Sequence, residues 1–183
     1  PKVMAKSAGV HVALAVANRN AAARKVSVVL QVLDARGRRI DRRTLAATVP
    51  AEGQVSLADN LGVPAPRLWS PETPNLYTLG QEVRVGGRVV DTRRTRFGIR
   101  TITMDAAGGL RLNGEKILLR GGNIHHDNYM LGAAGFPDAD RRKVALMRAA
   151  GYNAIRNAHN PASQATLDAA DQMGMLVIDE AFD

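Results

Sequence analysis

Three short stretches hold the residues whose types and spacing suit chemistry. "RGGNIHHDN" (120–128) sets His125, His126 and Asp127 in a row. "IRNAHN" (155–160) carries Arg156, His159 and Asn160, and "VIDE" (177–180) ends in Asp179 and Glu180. Three of the four histidines therefore lie in two of these stretches. Such residues could ligate a metal, run acid–base catalysis, line a sugar site or fill a polar loop. A neutral imidazole donates one hydrogen bond and accepts another, which suits a polyol. Consecutive histidines on a strand diverge, so one ion rarely takes both. His125 and His159 with an acid would form a three-ligand set, without the compact spacing of a zinc helix motif. Asp179 and Glu180 point to opposite faces of a strand, so they are badly placed to flank one bond.

The elements around these stretches explain why they should meet. "LRLNGEKILLRGG" (110–122) reads as strand, Asn113-Gly114 turn, strand, with its second arm running into the first histidine stretch. "DADRRKVALMRAAG" (138–151) reads as a helix capped by Asp138 or Asp140, with Val144, Leu146 and Met147 on its apolar side and Gly151 at its end. "YNAIR" (152–156) is a buried-type strand, 163–174 a second helix from Ser163 to Gly174, and "MLVIDE" (175–180) a third strand. The order is β-α-β-α-β. Strands this apolar are expected to be covered on both faces of a parallel sheet. Right-handed crossovers bring the three polar strand ends to one edge, where α/β sheets bind ligands.

The first half has another period. Residues 10–18, 26–34, 40–49, 53–57, 76–85 and 88–97 alternate as strands, with a Gly86-Gly87 hairpin turn between the last two. Turn signals between such strands predict an antiparallel sandwich. Trp69, in "RLWSP", precedes a Pro-rich turn and is expected to pack at the sandwich edge or between domains rather than to stack on a sugar.

Composition bounds the function. The chain has 183 residues, no cysteine and a formal net charge of +8. Residues 1–100 hold 17 Lys+Arg against 7 Asp+Glu, and residues 101–183 hold 8 against 10. The excess falls in alternate strand positions and turns, as on a wet sheet face. Aromatics are 4% of residues, too few for a base-stacking platform, so no nucleic-acid partner is expected. No apolar run is long enough to cross a membrane, and no membrane partner is expected. Without cysteine the compartment stays open, cytoplasmic or periplasmic/secreted in a bacterium. The N-terminus reads like a chain cut from something longer.

In combination, "LWSPETPNLYTL" (68–79), "RFGIRTI" (96–102), "LRLNGEKILLRGGNIHHDN" and "GYNAIRNAHNPAS…DAADQMGMLVIDEAFD" resemble family 2 glycoside hydrolases, the family of β-galactosidases, β-glucuronidases and β-mannosidases. "HHDNYMLGAA" is most similar to the β-galactosidase branch. The resemblance implies an α+β two-part chain: an immunoglobulin-like β-sandwich over 1–104, then over 105–183 a partial (β/α)8 barrel, a hairpin with about three βα units. It implies that His125, His159 and Asn160 contact the sugar, with Arg156, His126, Asp127, Asp179 and Glu180 supporting the site. It implies a retaining mechanism, in which one carboxyl group protonates the leaving oxygen and another, about 5 Å away, attacks the sugar. In the family both glutamates come from the fourth and seventh barrel strands. No catalytic residue, metal or cofactor is therefore expected in this chain, and no turnover from it alone. The alternative is a structural module that self-associates, as a homo-oligomer, through the open barrel edge.

Overall fold

The computed structural model describes residues 2–4 and 6–182. The chain divides into two compact units: one runs to Arg67 and resumes over Leu76–Ile99, the other takes Leu68–Asn75 and everything from Arg100.

The first unit is the sandwich. Its strands are β1 (Lys2–Met4), β2 (Ser7–Ala17), β3 (Arg24–Leu33), β4 (Arg39–Val49), β5 (Gln54–Pro64), β6 (Leu76–Val85) and β7 (Arg88–Gly98). One sheet has the order β1-β2-β5 and the other β4-β3-β6-β7, with every pairing antiparallel. The period-2 pattern does what it predicts. Val10, Val12 and Val16 of β2, Val28, Leu30 and Val32 of β3, and Leu61 and Val63 of β5 are buried. Each such side chain contributes about 1.5–3 kcal/mol on leaving water. The strand expected at 53–57 extends to Pro64. Asp41 of β4 ties the sheets together: its Oδ2 accepts from the Gly62 amide of β5 at 2.7 Å, while Oδ1 accepts from Arg42 N and from Arg43 Nη1 at 2.8 Å.

The second unit opens with an antiparallel meander, β8 (Ile102–Asp105), β9 (Gly109–Leu112) and β10 (Glu115–Lys116). Asn113 and Gly114 make the expected turn, and Asn113 does more. Its Oδ1 accepts from Thr101 N and its Nδ2 donates to Trp69 O, each at 3.0 Å. One expectation is corrected here: the second hairpin arm does not run into the histidine stretch but stops at Lys116. Gly121–Ile124 is a separate strand, β11, which pairs in parallel with β12 (Ala154–Asn157), and β12 with β13 (Leu176–Asp179). Its start is fixed by buried Asn153, whose Oδ1 accepts from Arg120 N at 2.8 Å and whose Nδ2 donates to Leu118 O at 2.9 Å. Gly121 is required because a Cβ there would strike the Ala154 carbonyl across the ladder.

Helices α1 (Pro137–Ala149) and α2 (Gln164–Met173) cover one face of this sheet around Ile124, Val144, Ile155, Ala169, Ala170 and Met175. Three helix and strand details depart from the sequence reading. Neither Asp138 nor Asp140 caps α1: the N-cap is Phe136, with Pro137 opening the helix. Asp140 is instead 7% exposed and accepts from Ser163 Oγ at 2.6 Å. Leu146 is 52% exposed and lies off the apolar side that Val144 and Met147 supply. The strands are not covered on both faces, since Ile178 is 51% exposed on the face away from the helices. Ser163 caps α2 as expected, accepting from Thr166 N at 3.1 Å. Gly174 ends it at φ 76°, where a Cβ would also strike Pro71 O.

Trp69 packs, as expected, rather than offering a face to a sugar. It belongs to the second unit, is 1% exposed, and donates from Nε1 to Asp171 O at 2.8 Å. Arg100 lies 4.6 Å over its ring centroid. Burial pulls the Arg100 guanidinium below its ordinary pKa, with the Asp171 charge acting the other way. A tryptophan held like this has no face left for a sugar.

Candidate functional site

Strand register decides which polar residues share a face. Asn123, Arg156 and Ile178 lie opposite one another across β11, β12 and β13, as do Ile124, Asn157 and Asp179 in the next row. Ile124 packs among the helices. Side chains alternate along a strand, so Asn157 and Asp179 belong to the helix side and Arg156 to the opposite side. The chain just beyond β13 then brings Glu180 back toward Arg156.

The contacts follow that division. Arg156 Nε donates to Glu180 Oε1 at 2.6 Å, with Nη2 close to the same oxygen. His159 Nδ1 lies 3.2 Å from Glu180 Oε2. The rings of His125 and His159 have centroids 5.4 Å apart, tilted by 57°. Arg156, His159, Glu180, Ala181 and Phe182 line an open depression at this edge. One carboxylate thus orients a guanidinium and an imidazole at once. Such a cluster holds its donors in fixed positions.

The remaining predicted site residues separate from this cluster. Asp179 accepts from Ala162 N at 2.9 Å and so props the lead into α2. Asp127 is exposed and its Oδ1 accepts from Tyr129 N at 2.8 Å. His126 and Asn160 are exposed, and the Asn160 carbonyl accepts from buried Asn157 Nδ2. The Ala158–His159 peptide is cis. Among the described residues no group of three or more His, Asp or Glu is gathered as a metal-ligand set.

One contributor was missed in the sequence. Lys143 of α1 donates from Nζ to the carbonyls of His125 at 3.0 Å and Asp127 at 3.1 Å. It clamps the segment that carries the first histidine. In "DRRKVAL" it looks like any solvated helix lysine, and no sequence signal separates it from its neighbours.

Comparison with known proteins places this edge in context. The sequence profile of glycosyl hydrolases family 2 matches residues 1–100, and that of the TIM barrel domain of the same family matches 105–182. A β-galactosidase of Bacteroides ovatus is 36% identical over 97% of this chain, which covers 21% of that protein. A family 2 glycosyl hydrolase structure from Bacteroides cellulosilyticus superposes with TM-score 0.92 at 40% identity, over 99% of this chain and 25% of that one. A Bacteroides uniformis β-glucuronidase structure gives TM-score 0.94 at 27% identity, over 99% and 22%. The chain thus spans about a fifth of the length of the curated relatives it matches.

Proposed function

We propose, for a chain that belongs to glycosyl hydrolases family 2, that the Arg156–Glu180–His159 cluster and His125 form one wall of the sugar subsite of a retaining β-glycosidase acting on β-galactosides. The observation that carries this reading is the shared carboxylate. Glu180 fixes both a guanidinium and an imidazole at the edge where parallel α/β sheets bind ligands. His125 and His159 would exchange hydrogen bonds with sugar hydroxyls, with Asn160 at the rim. Arg156 would favour the charged form of a nucleophilic carboxylate brought beside it.

The two reacting carboxylates lie outside these residues in this reading. Glu180 is engaged by Arg156 and His159, Asp179 by the Ala162 amide and Asp127 by the Tyr129 amide. None is left as an acid facing a nucleophile, which a retaining mechanism requires. The 183 residues alone are therefore expected to bind weakly and hydrolyse nothing.

A β-glucuronide is the second reading, favoured by the likeness to the B. uniformis β-glucuronidase. Its carboxylate calls for a committed cation. Arg156, the cation at the depression, is paired with Glu180, which supports the neutral sugar. The test is hydrolysis of 4-nitrophenyl β-galactoside and β-glucuronide by the full-length gene product and by the 183-residue chain. The expected result is galactoside turnover by the former alone, lowered about 100-fold by His125→Ala or His159→Ala. Preference for the glucuronide would overturn the substrate assignment. Turnover by the 183-residue chain, abolished by Asp179→Asn or Glu180→Gln, would overturn the placement of the reacting carboxylates.

A further inference from the structure

One nearly buried carboxylate stands between the two loops that carry the histidines and belongs to neither. Asp140 lies in the first turn of α1, and its side chain is 10% exposed. Its Oδ2 accepts from Ser163 Oγ at 2.6 Å. Its Oδ1 lies 3.9 Å from Lys143 Nζ, one turn further along α1, within ion-pair range but beyond a hydrogen bond. The same Nζ donates to the carbonyls of His125 and Asp127. Ser163 closes the loop that follows β12 and carries His159. That loop is pinned to its strands at two further points. Asn157 Nδ2 donates to Asn160 O, and Ala162 N donates to Asp179 Oδ1 at 2.9 Å. A path of side chains thus runs from the His125 carbonyl through Lys143, Asp140 and Ser163 to the start of α2.

We propose, on the reading of His125 and His159 as sugar contacts, that Asp140 is a positioning residue: from outside the depression it fixes one histidine loop relative to the other, and so the spacing of the two imidazoles. Asp140 does not cap α1, so its burial does not serve the helix it stands on. A carboxylate this buried is costly without a counter-charge. The cation brought to it is Lys143, whose head is thereby held on the α1 surface. The two carbonyls that Lys143 grips belong to His125 itself and to the residue two places on, so the place of Nζ decides where that backbone runs. Asp140 cannot drift with either loop. Its helix is anchored in the core through Val144, which is fully buried, and its other oxygen is held by the hydroxyl that caps α2. The imidazole centroids are 5.4 Å apart. A shift of about 1 Å in one loop is large against that spacing when both rings must meet one ligand.

Kinetics and amide hydrogen exchange on the full-length gene product test this, with exchange measured in the absence of sugar. Asp140→Asn keeps an acceptor for Ser163 and removes the charge that holds Lys143. It is expected to raise KM for 4-nitrophenyl β-galactoside about fivefold, with kcat changed less than about twofold, and to speed exchange over 125–128. Adding Lys143→Met to Asp140→Asn is expected to leave KM at about the value of Lys143→Met alone, because both changes cut one link. Ser163→Ala is expected to speed exchange over 125–128 as well as in α2, and Ser163→Thr, which keeps the hydroxyl, to restore it. A lost cap by itself would loosen α2 alone, and that outcome would overturn the proposal. So would unchanged exchange over 125–128 in Asp140→Asn, a variant that keeps the α2 cap. So would KM effects of Asp140→Asn and Lys143→Met that simply multiply. Faster exchange over 125–128 in Asp140→Asn with KM unmoved would uphold the link between the loops and overturn the sugar contacts instead.

Discussion

Arg156 and Glu180 come from the ends of neighbouring parallel strands and meet at 2.6 Å, with the second oxygen of Glu180 turned to His159. The side chains of Arg156 and Glu180 are 41% and 23% exposed, so the pair is a rim contact rather than a buried anchor. Exposed pairs add little to stability but fix geometry where it is needed.

Glu180→Ala is therefore expected to change unfolding free energy by less than about 1 kcal/mol. In the full-length protein it should lower glycosidase kcat/KM about 100-fold, because Arg156 and His159 lose their common anchor. A double-mutant cycle with Arg156→Ala checks the link. Simple additivity in kcat/KM would show that the two side chains act independently.

Lys143 reaches from α1 to the carbonyls of His125 and Asp127. Lys143→Met keeps the side chain's apolar stem and removes the clamp. We expect KM to rise about tenfold in the full-length enzyme with a smaller change in kcat. Faster amide exchange over 125–128 in the 183-residue chain is the companion readout. Unchanged exchange there would mean that the segment holds its position without the lysine.

Ser163 serves two structures at once, accepting from Thr166 N and donating to nearly buried Asp140. Ser163→Ala should cost about 1–3 kcal/mol, from a lost cap plus an under-satisfied carboxylate. Urea unfolding measures it. Asp140→Asn should cost less, because the amide oxygen still accepts from Ser163.

Asp41 gives stability a pH signature. Burial raises its pKa, but the amides of Gly62 and Arg42 and the Arg43 charge outweigh that, and the net shift is downward from 3.8. A depressed folded pKa contributes stability that is complete above the unfolded value and is lost as pH falls through the folded one. The stability difference between wild type and Asp41→Asn should therefore be about 1 kcal/mol at neutral pH and shrink below about pH 4. Asp34 is lowered too, by the Arg38 amide first, so only the difference profile isolates Asp41.

Legibility in the sequence followed the range of the interaction. Hairpins at Gly86-Gly87 and Asn113-Gly114, and the Ser163 and Gly174 ends of α2, rest on contacts within a few residues, and all four appear where the sequence places them. Asp140 carried the same kind of local signal as a cap and lost to a partner 23 positions away. The hairpin arm that was expected to reach the histidines stops at Lys116, because the Asn153 side chain holds the chain on either side of Leu119 and hands it to a parallel ladder.

By itself the sequence determined the two periodicities, and with them the sandwich, the βαβαβ order and the gathering of three polar strand ends. Burial of alternating or helical apolar stripes leaves a chain few other choices. Only the tertiary structure decided what each polar residue does at that edge. Asp179 and Glu180 are adjacent in sequence, yet one props the start of α2 and the other binds Arg156 and His159. Strand alternation predicts that they diverge, but not which partners they find. Those partners come from other strands and helices, at distances set by register and packing, which no local pattern encodes.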